Sequence, residues 1–224
     1  MPIRPVNVML SLAALGSVLM SGCNVASTVA YITTPNPVME AQYELKNEST
    51  VIFVDDRRSQ ISPVRLRRTI GDVASEGLLE EEVVSDVISP RDATAAARQL
   101  DRGAKPAAIS TVGRMVGADQ VIYVEVIQFN LTSSDGYTPD PYASCRVRVV
   151  DLVEKKRKFP DPEESPAHFV EVRLPGERSL SMNESRVRQE LGERLATETG
   201  LQIARLFYDH EVAAIGANLL YRDK

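Results

Sequence analysis

Apolar positions along the chain change period several times, and each change predicts an element. Thr50-Val51-Ile52-Phe53-Val54 is an unbroken β-branched and aromatic run ending in Asp55-Asp56, which predicts a first strand. After Pro63, Leu66, Ile70, Val73, Ala74 and Leu78 recur at three and four residues, so a helix should cover one face of a sheet. Val83 to Ile88 reads as a second strand, and Ser89-Pro90 with Asp92 as the start of an alanine-rich helix reaching about Leu100. Gly103 and Pro106 break that helix. Ile109, Val112 and Val116 then mark a short one that ends at Gly117.

Val121 to Ile127 is apolar at nearly every position, the pattern of a central strand covered on both faces. Gly136, Pro139 and Pro141 predict a loop. Beyond it Cys145, Val147 and Val149 alternate with Arg146 and Arg148, and later His168, Val170, Val172 and Leu174 alternate with Phe169, Glu171 and Arg173. Each run is a strand with one wet face, and Lys155-Lys156-Arg157-Lys158 falls at a turn between them or just past it. A long helix should run from about Asn183 to Tyr208 with Val187, Leu191, Leu195, Ile203 and Phe207 on one side; Ser181 to Glu184 has the spacing of a capping box. The order β-α-β-α-α-β-β-β-α implies an α/β (α+β) fold. Right-handed crossovers make the first three strands parallel under helices, in a three-layer-like arrangement, and antiparallel strands extend the sheet.

The first 23 residues follow a different pattern: Arg4 in a short basic region, then an apolar stretch of about 13 residues from Val8 to Met20, against the ~20 that a spanning helix needs. This is an export signal rather than an anchor. Leu19-Met20-Ser21-Gly22-Cys23 resembles the lipobox of bacterial lipoproteins, with Met20 where Leu is usual, so residues 1–22 are expected to be removed and Cys23 to be acylated. Two or more acyl chains anchor a protein stably. Asn24 is not the Asp that resembles an inner-membrane retention signal, which favours outer-membrane sorting with the domain in the periplasm. From 23 to 48 the chain is small and polar around Thr33-Thr34-Pro35-Asn36-Pro37 and reads as a spacer; the domain should occupy 49–209 and a tail 210–224.

Composition narrows the chemistry. Removal of the signal leaves about 200 residues, enough for one large α/β domain. The formal charge is −5, more negative by one once Arg4 is lost, and the chain has no Trp; both argue against a nucleic-acid partner. Once Cys23 is acylated, Cys145 is a lone thiol in an apolar strand, a buried hydrophobe rather than a nucleophile. His168 and His210 lack partners at metal-ligand spacing, and Glu80-Glu81-Glu82 and Asp161 to Glu164 lack the pattern of a calcium loop, so no metal and no cofactor are expected. Glycine-rich phosphate loops, dinucleotide fingerprints and nucleophile elbows are missing from the sequence. Glu125, a carboxylate in the most apolar strand, must pair with an Arg or face a less covered part of the sheet. Asp55, Asp56, Arg57 and Arg58 follow the first parallel strand, where open α/β sheets place ligand crevices; they form a candidate partner-binding loop, against the plainer reading of a solvated turn whose charges pair locally.

The segment from Val51 to Leu131 resembles the α/β unit of the curli secretion-channel lipoproteins, the penicillin-binding-protein activator lipoproteins and the N-terminal domain of the Tol-Pal beta-propeller protein. The residues that carry this are Val51-Ile52-Phe53-Val54-Asp55, Val87-Ile88-Ser89-Pro90 before a helix, and Gly117-Ala118-Asp119-Gln120-Val121-Ile122 entering a strand; Val149-Val150-Asp151 before a turn resembles the hairpin that follows. The resemblance implies a non-catalytic module that binds envelope proteins or assembles with copies of itself. Two other functions stay open on the sequence, a subunit of an outer-membrane secretion channel and an envelope enzyme. Against insertion as a channel, Arg146, Arg148, Glu171 and Arg173 would stand on the lipid face.

Overall fold

A computed structural model describes residues 37–101, 106–175 and 184–212. It divides into two compact units. The larger, Glu40–His210, holds the mixed sheet; the smaller is described at 37–39 and 211–212, where the Val212 N–H donates to the Pro37 carbonyl at 2.9 Å.

The larger unit runs β1 (Thr50–Asp55), α1 (Arg65–Glu80), β2 (Val87–Ile88), α2 (Pro90–Leu100), α3 (Ile109–Val116), β3 (Gln120–Thr132), β4 (Pro139–Asp151), β5 (Lys156–Phe159), β6 (His168–Arg173) and α4 (Ser185–Ala204), closed by one 3-10 turn, Arg205–Phe207. β1 pairs in parallel with β2 and β3, β3 pairs antiparallel with β4, and both β5 and β6 lie antiparallel on the far side of β4. The sheet is open. The expected class and the parallel-then-antiparallel order are found, with β5 as an additional short strand.

Alternation along β1 and β3 builds two cores. Ile52, Val54, Ile122 and Val124 face α1 and α4, while Val51, Phe53, Val121 and Tyr123 face α2 and α3. Side chains buried this completely contribute about 1.5–3 kcal/mol each. On the second face the cover ends with α2 and α3, so the outer half of the sheet carries the wet rows of β4 and β6. Glu125 lies there. It is half-buried, its Oε2 accepts from Arg148 Nη2 at 3.0 Å, and Arg146 Nη1 lies 3.7 Å away, so both conditions set by its sequence position are met.

Three boundaries differ from the pattern. Val83 to Ile88 is a strand only at Val87–Ile88, because the Glu81, Glu82 and Val83 N–H groups donate to Gly77, Leu79 and Leu78 and close the C-terminus of α1. Val84 is buried in the core without joining the ladder. Pro139 and Pro141 stand inside β4 rather than in a loop; the β3–β4 register is irregular between Asn130 and Thr132, where a proline's missing donor is tolerated. The stretch 40–48, expected as spacer, belongs to the compact unit. Leu45 is 6% exposed, Tyr43 packs on Phe159, and the Gln42 and Tyr43 N–H groups donate to the Leu206 carbonyl. At the start of α4, Glu184 makes no side-chain cap; Ser181 and Asn183 lie outside the described residues.

Candidate functional site

The two ends of the parallel strands are built differently. At the amino end, polar groups close on one another: Ser49 C=O accepts from the Asp119 and Gln120 N–H groups, and Gln120 Nε2 donates to Lys46 O and Thr50 Oγ1. Lys46 Nζ reaches Asp151 Oδ2 at 2.7 Å and Glu154 Oε1 at 2.8 Å. The Asp151 side chain is 2% exposed, so Lys46 neutralises a charge that could not stand alone there.

The carboxyl end is open. β2 pairs only with Thr50 and Val51, so among the described residues β1 from Ile52 to Asp55 has no strand neighbour on that side. α1 and α2 approach each other over this edge, where a Cβ on Gly71 would lie 2.8 Å from Pro90 Cβ and 3.5 Å from Val54 Cγ2. A groove of about 390 Å³ remains, with Val54, Val64, Pro90 and Ala95 as apolar lining and Arg65, Arg67, Arg68, Arg91 and Arg98 around it. Among the described residues no carboxylate lines it. A second cavity of about 70 Å³ continues from it past Arg67 and Arg98 to Asp55, Arg57 and Asp101.

Arginine at the start of α1 runs against helix electrostatics. Val64 provides no side-chain cap, the first turn has no acid, and Arg65, Arg67 and Arg68 sit where the dipole opposes positive charge by about 0.3–1 kcal/mol each. Arg65 is offset by Glu193 (Nε–Oε1 2.8 Å) and Arg68 by Asp72 (3.1 Å). The guanidinium groups of Arg67, Arg91 and Arg98 make no ion pair or hydrogen bond among the described residues. Arg67 is half-buried and lines both cavities, as well as a small pocket beside Asp56.

The four-residue loop lies next to this groove, but its two acids point inward. Asp55 accepts from Tyr123 Oη at 2.8 Å and from Arg57 Nε at 2.6 Å. Burial, then the bond to Asp55, raises the Tyr123 pKa. Asp56 accepts the Gln60 and Ile61 N–H groups at 2.7 and 2.9 Å and so holds the turn into α1. Arg57 pairs with Asp55, and Arg58 is exposed. Local pairing therefore accounts for Asp55, Asp56 and Arg57, and the guanidinium groups without an ion pair among the described residues stand at the start of α1 and along α2. For Arg67 a signal was present in the sequence, Arg65-Leu66-Arg67-Arg68 at a helix start, where acids are the rule; Arg91 and Arg98 in α2 had none.

Other candidates are distributed through the fold. Cys23 lies outside the described residues. Cys145 is buried, and burial, reinforced by the Asp56 charge, pushes its thiol pKa up to about 12. His168 stacks on Phe159 at 5.1 Å, and His210 Nδ1 lies 3.2 Å from Tyr208 O. Among the described residues no three His, Cys, Asp or Glu side chains come together as metal ligands, and no helix is long and apolar enough to cross a membrane. Lys155 turns the β4–β5 hairpin at φ 57°, and Lys158 pairs with Glu154.

No family model matches the sequence, and no curated protein matches it. Among solved structures the chain is similar to a hypothetical protein from Chlamydia trachomatis (16% identity, 70% of this chain and 98% of that one, TM-score 0.41). It is also similar to the PelC dodecamer from Paraburkholderia phytofirmans (9%, 78% and 94%, 0.38) and to the LpoB C-terminal domain from Salmonella enterica (10%, 60% and 88%, 0.37).

Proposed function

We propose that this chain is an envelope lipoprotein, acylated at Cys23 and held at the outer membrane with its domain in the periplasm, that works as a non-catalytic binding or assembly module. The groove between α1 and α2, with the neighbouring Asp55–Arg58 loop, is its docking site. One observation carries this reading: the guanidinium groups of Arg67, Arg91 and Arg98 stand, with no ion pair among the described residues, around an apolar-lined groove at the carboxyl end of β1, where α/β sheets present ligands. The described lining of the groove offers arginines and apolar side chains for binding, with no nucleophile and base side by side. The Cys145 thiol keeps its proton in the core, and among the described residues neither histidine touches a carboxylate that could orient it. A tether at Cys23 would raise the effective concentration of the domain for a neighbour at the same membrane.

Two variants test the two halves of the proposal. Cys23→Ser should lose fatty-acid label and leave the membrane fraction; label retained on the variant would remove the lipoprotein assignment. Arg67→Ala with Arg98→Ala should stay in the membrane yet lose at least tenfold of the partner recovered by crosslinking and affinity capture, on the order of one or two charged contacts. Undiminished recovery would place the docking surface elsewhere.

A further inference from the structure

Resting on the reading of the groove as the docking site, we propose that its ligand is an acidic, amphipathic segment of a protein partner, carrying carboxylates for the guanidinium groups and an apolar side chain for the lining.

The charge argument comes first. Five arginines border one groove to whose described lining no carboxylate contributes, and three of them make no ion pair within 4 Å among the described residues, the nearest cavity acids, Asp55 and Asp101, lying beyond the groove. Arg65, Arg67 and Arg68 also occupy the positive end of α1, which has no side-chain cap, so their fields add to that of the helix dipole and favour an anion. Guanidinium forks match carboxylate and phosphate oxygens in pairs, which narrows the ligand to those two groups.

Shape and apolar character decide between them. Val54 and Pro90 are buried beneath the groove, and Val64 stands 59% exposed at its rim. A volume of about 390 Å³ is far more than one phosphate fills, and it lies in the range of sites that enclose a ligand with an apolar body. A bare anion would leave this lining wet; an acidic segment with one Leu- or Phe-sized anchor covers it. The rest of the molecule argues against an anionic lipid surface. The chain is net negative, so a sheet of phosphates would be opposed by the charge of the molecule as a whole, whereas a single inserted strand or helix of a partner meets the arginines locally.

The test uses the full chain purified in detergent and three fluorescein-labelled peptides: a Glu-rich decamer with two central leucines, the same peptide with Gln for Glu, and the same with Ser for Leu. Fluorescence anisotropy should show binding of the first that weakens with salt, loss of binding for the Gln peptide, and clearly weaker binding for the Ser peptide. Arg91→Ala and Arg98→Ala, both at exposed positions, should each weaken the first peptide about tenfold, the scale of one charged hydrogen bond, with melting temperature unchanged. Arg67→Lys serves as a third variant that keeps the charge and loses the fork. Equal binding of the Glu and Gln peptides, or no effect of the arginine variants, overturns the proposal. So does co-sedimentation with phosphatidylglycerol vesicles without binding of any peptide. If the Glu peptide binds as described while crosslinking from membranes recovers no partner, this inference stands and the module reading fails; if a partner is recovered but the peptides do not bind, the reverse holds.

Discussion

Cys145 and His168 show how position in the core sets the behaviour of a single side chain. Cys145 is 1% exposed with its thiol pKa raised by burial, so thiol reagents should label the folded chain at Cys23 or not at all, and reach Cys145 only when denaturant opens the domain. Mass spectrometry of labelled peptides reads this out; rapid labelling of Cys145 in the native state would contradict the packing. His168 is half-buried against Phe159, and burial holds its pKa below 6.5. In the folded chain the ring therefore stays neutral at pH values where the unfolded chain already binds a proton. Its contribution is complete above about pH 6.5 and is lost as pH falls through the folded value. His168→Phe should flatten the dependence of melting temperature on pH in that window, and an unchanged slope would assign it to other groups. Glu154 acts lower: its bonds to Lys158 and then Lys46 depress its pKa below 4.5, so its stabilisation fades only in more acidic solution.

Among the elements, the pairing of α1 with α4 makes the sharpest demand on sequence. A Cβ on Gly200 would meet the Ile70 carbonyl oxygen at 2.8 Å and Val73 Cβ at 2.9 Å, and one on Gly77 would meet Ala204 Cβ at 3.0 Å. In an exposed helix Gly→Ala stabilises by up to about 1 kcal/mol. At Gly200 the backbone oxygen cannot move aside, so overpacking of about 1–3 kcal/mol wins and Gly200→Ala should be destabilising by urea denaturation. A stabilised variant would mean that α4 can shift along α1 at little cost. Elements with local signatures were legible. Ser89 caps α2 by accepting from Arg91 N, Pro90 opens it, and Gly117 closes α3 at φ 82°. β2 was misread in length because apolar residues serve a strand and a buried turn equally well, and backbone donors that close α1 cannot also enter a ladder.

The molecule as a whole depends on residues ahead of its first strand. Leu45 in the core, Tyr43 on Phe159 and the Lys46 ion pairs tie 40–48 to β4, β5 and the end of α4. A chain shortened to begin at Glu40 should melt like the longer one, whereas a chain beginning at Ser49 should lose stability on the order of 3–5 kcal/mol, a large share of what a domain has. Identical denaturation midpoints for the two would show that 40–48 is an appendage.

Taken alone, the sequence determined what depends on neighbours in the chain: the periods of strands and helices, the caps of α2 and α3, and the parallel-then-antiparallel order. Glu125 was legible too, because a carboxylate in an apolar strand has few solutions, and the alternating arginines of β4 supplied one. Tertiary structure decided the rest. That the segment 40–48 is core follows from distant partners such as Asp151 and Leu206, which no local pattern reveals. The groove exists only because β2 is two residues long and leaves the upper edge of β1 to be roofed by α1 and α2. Arg91 and Arg98 are ordinary surface charges in sequence; the close approach of two helices over one bare strand edge sets them with Arg67 around a shared apolar lining, and spatial convergence of that kind has no signature in a one-dimensional pattern.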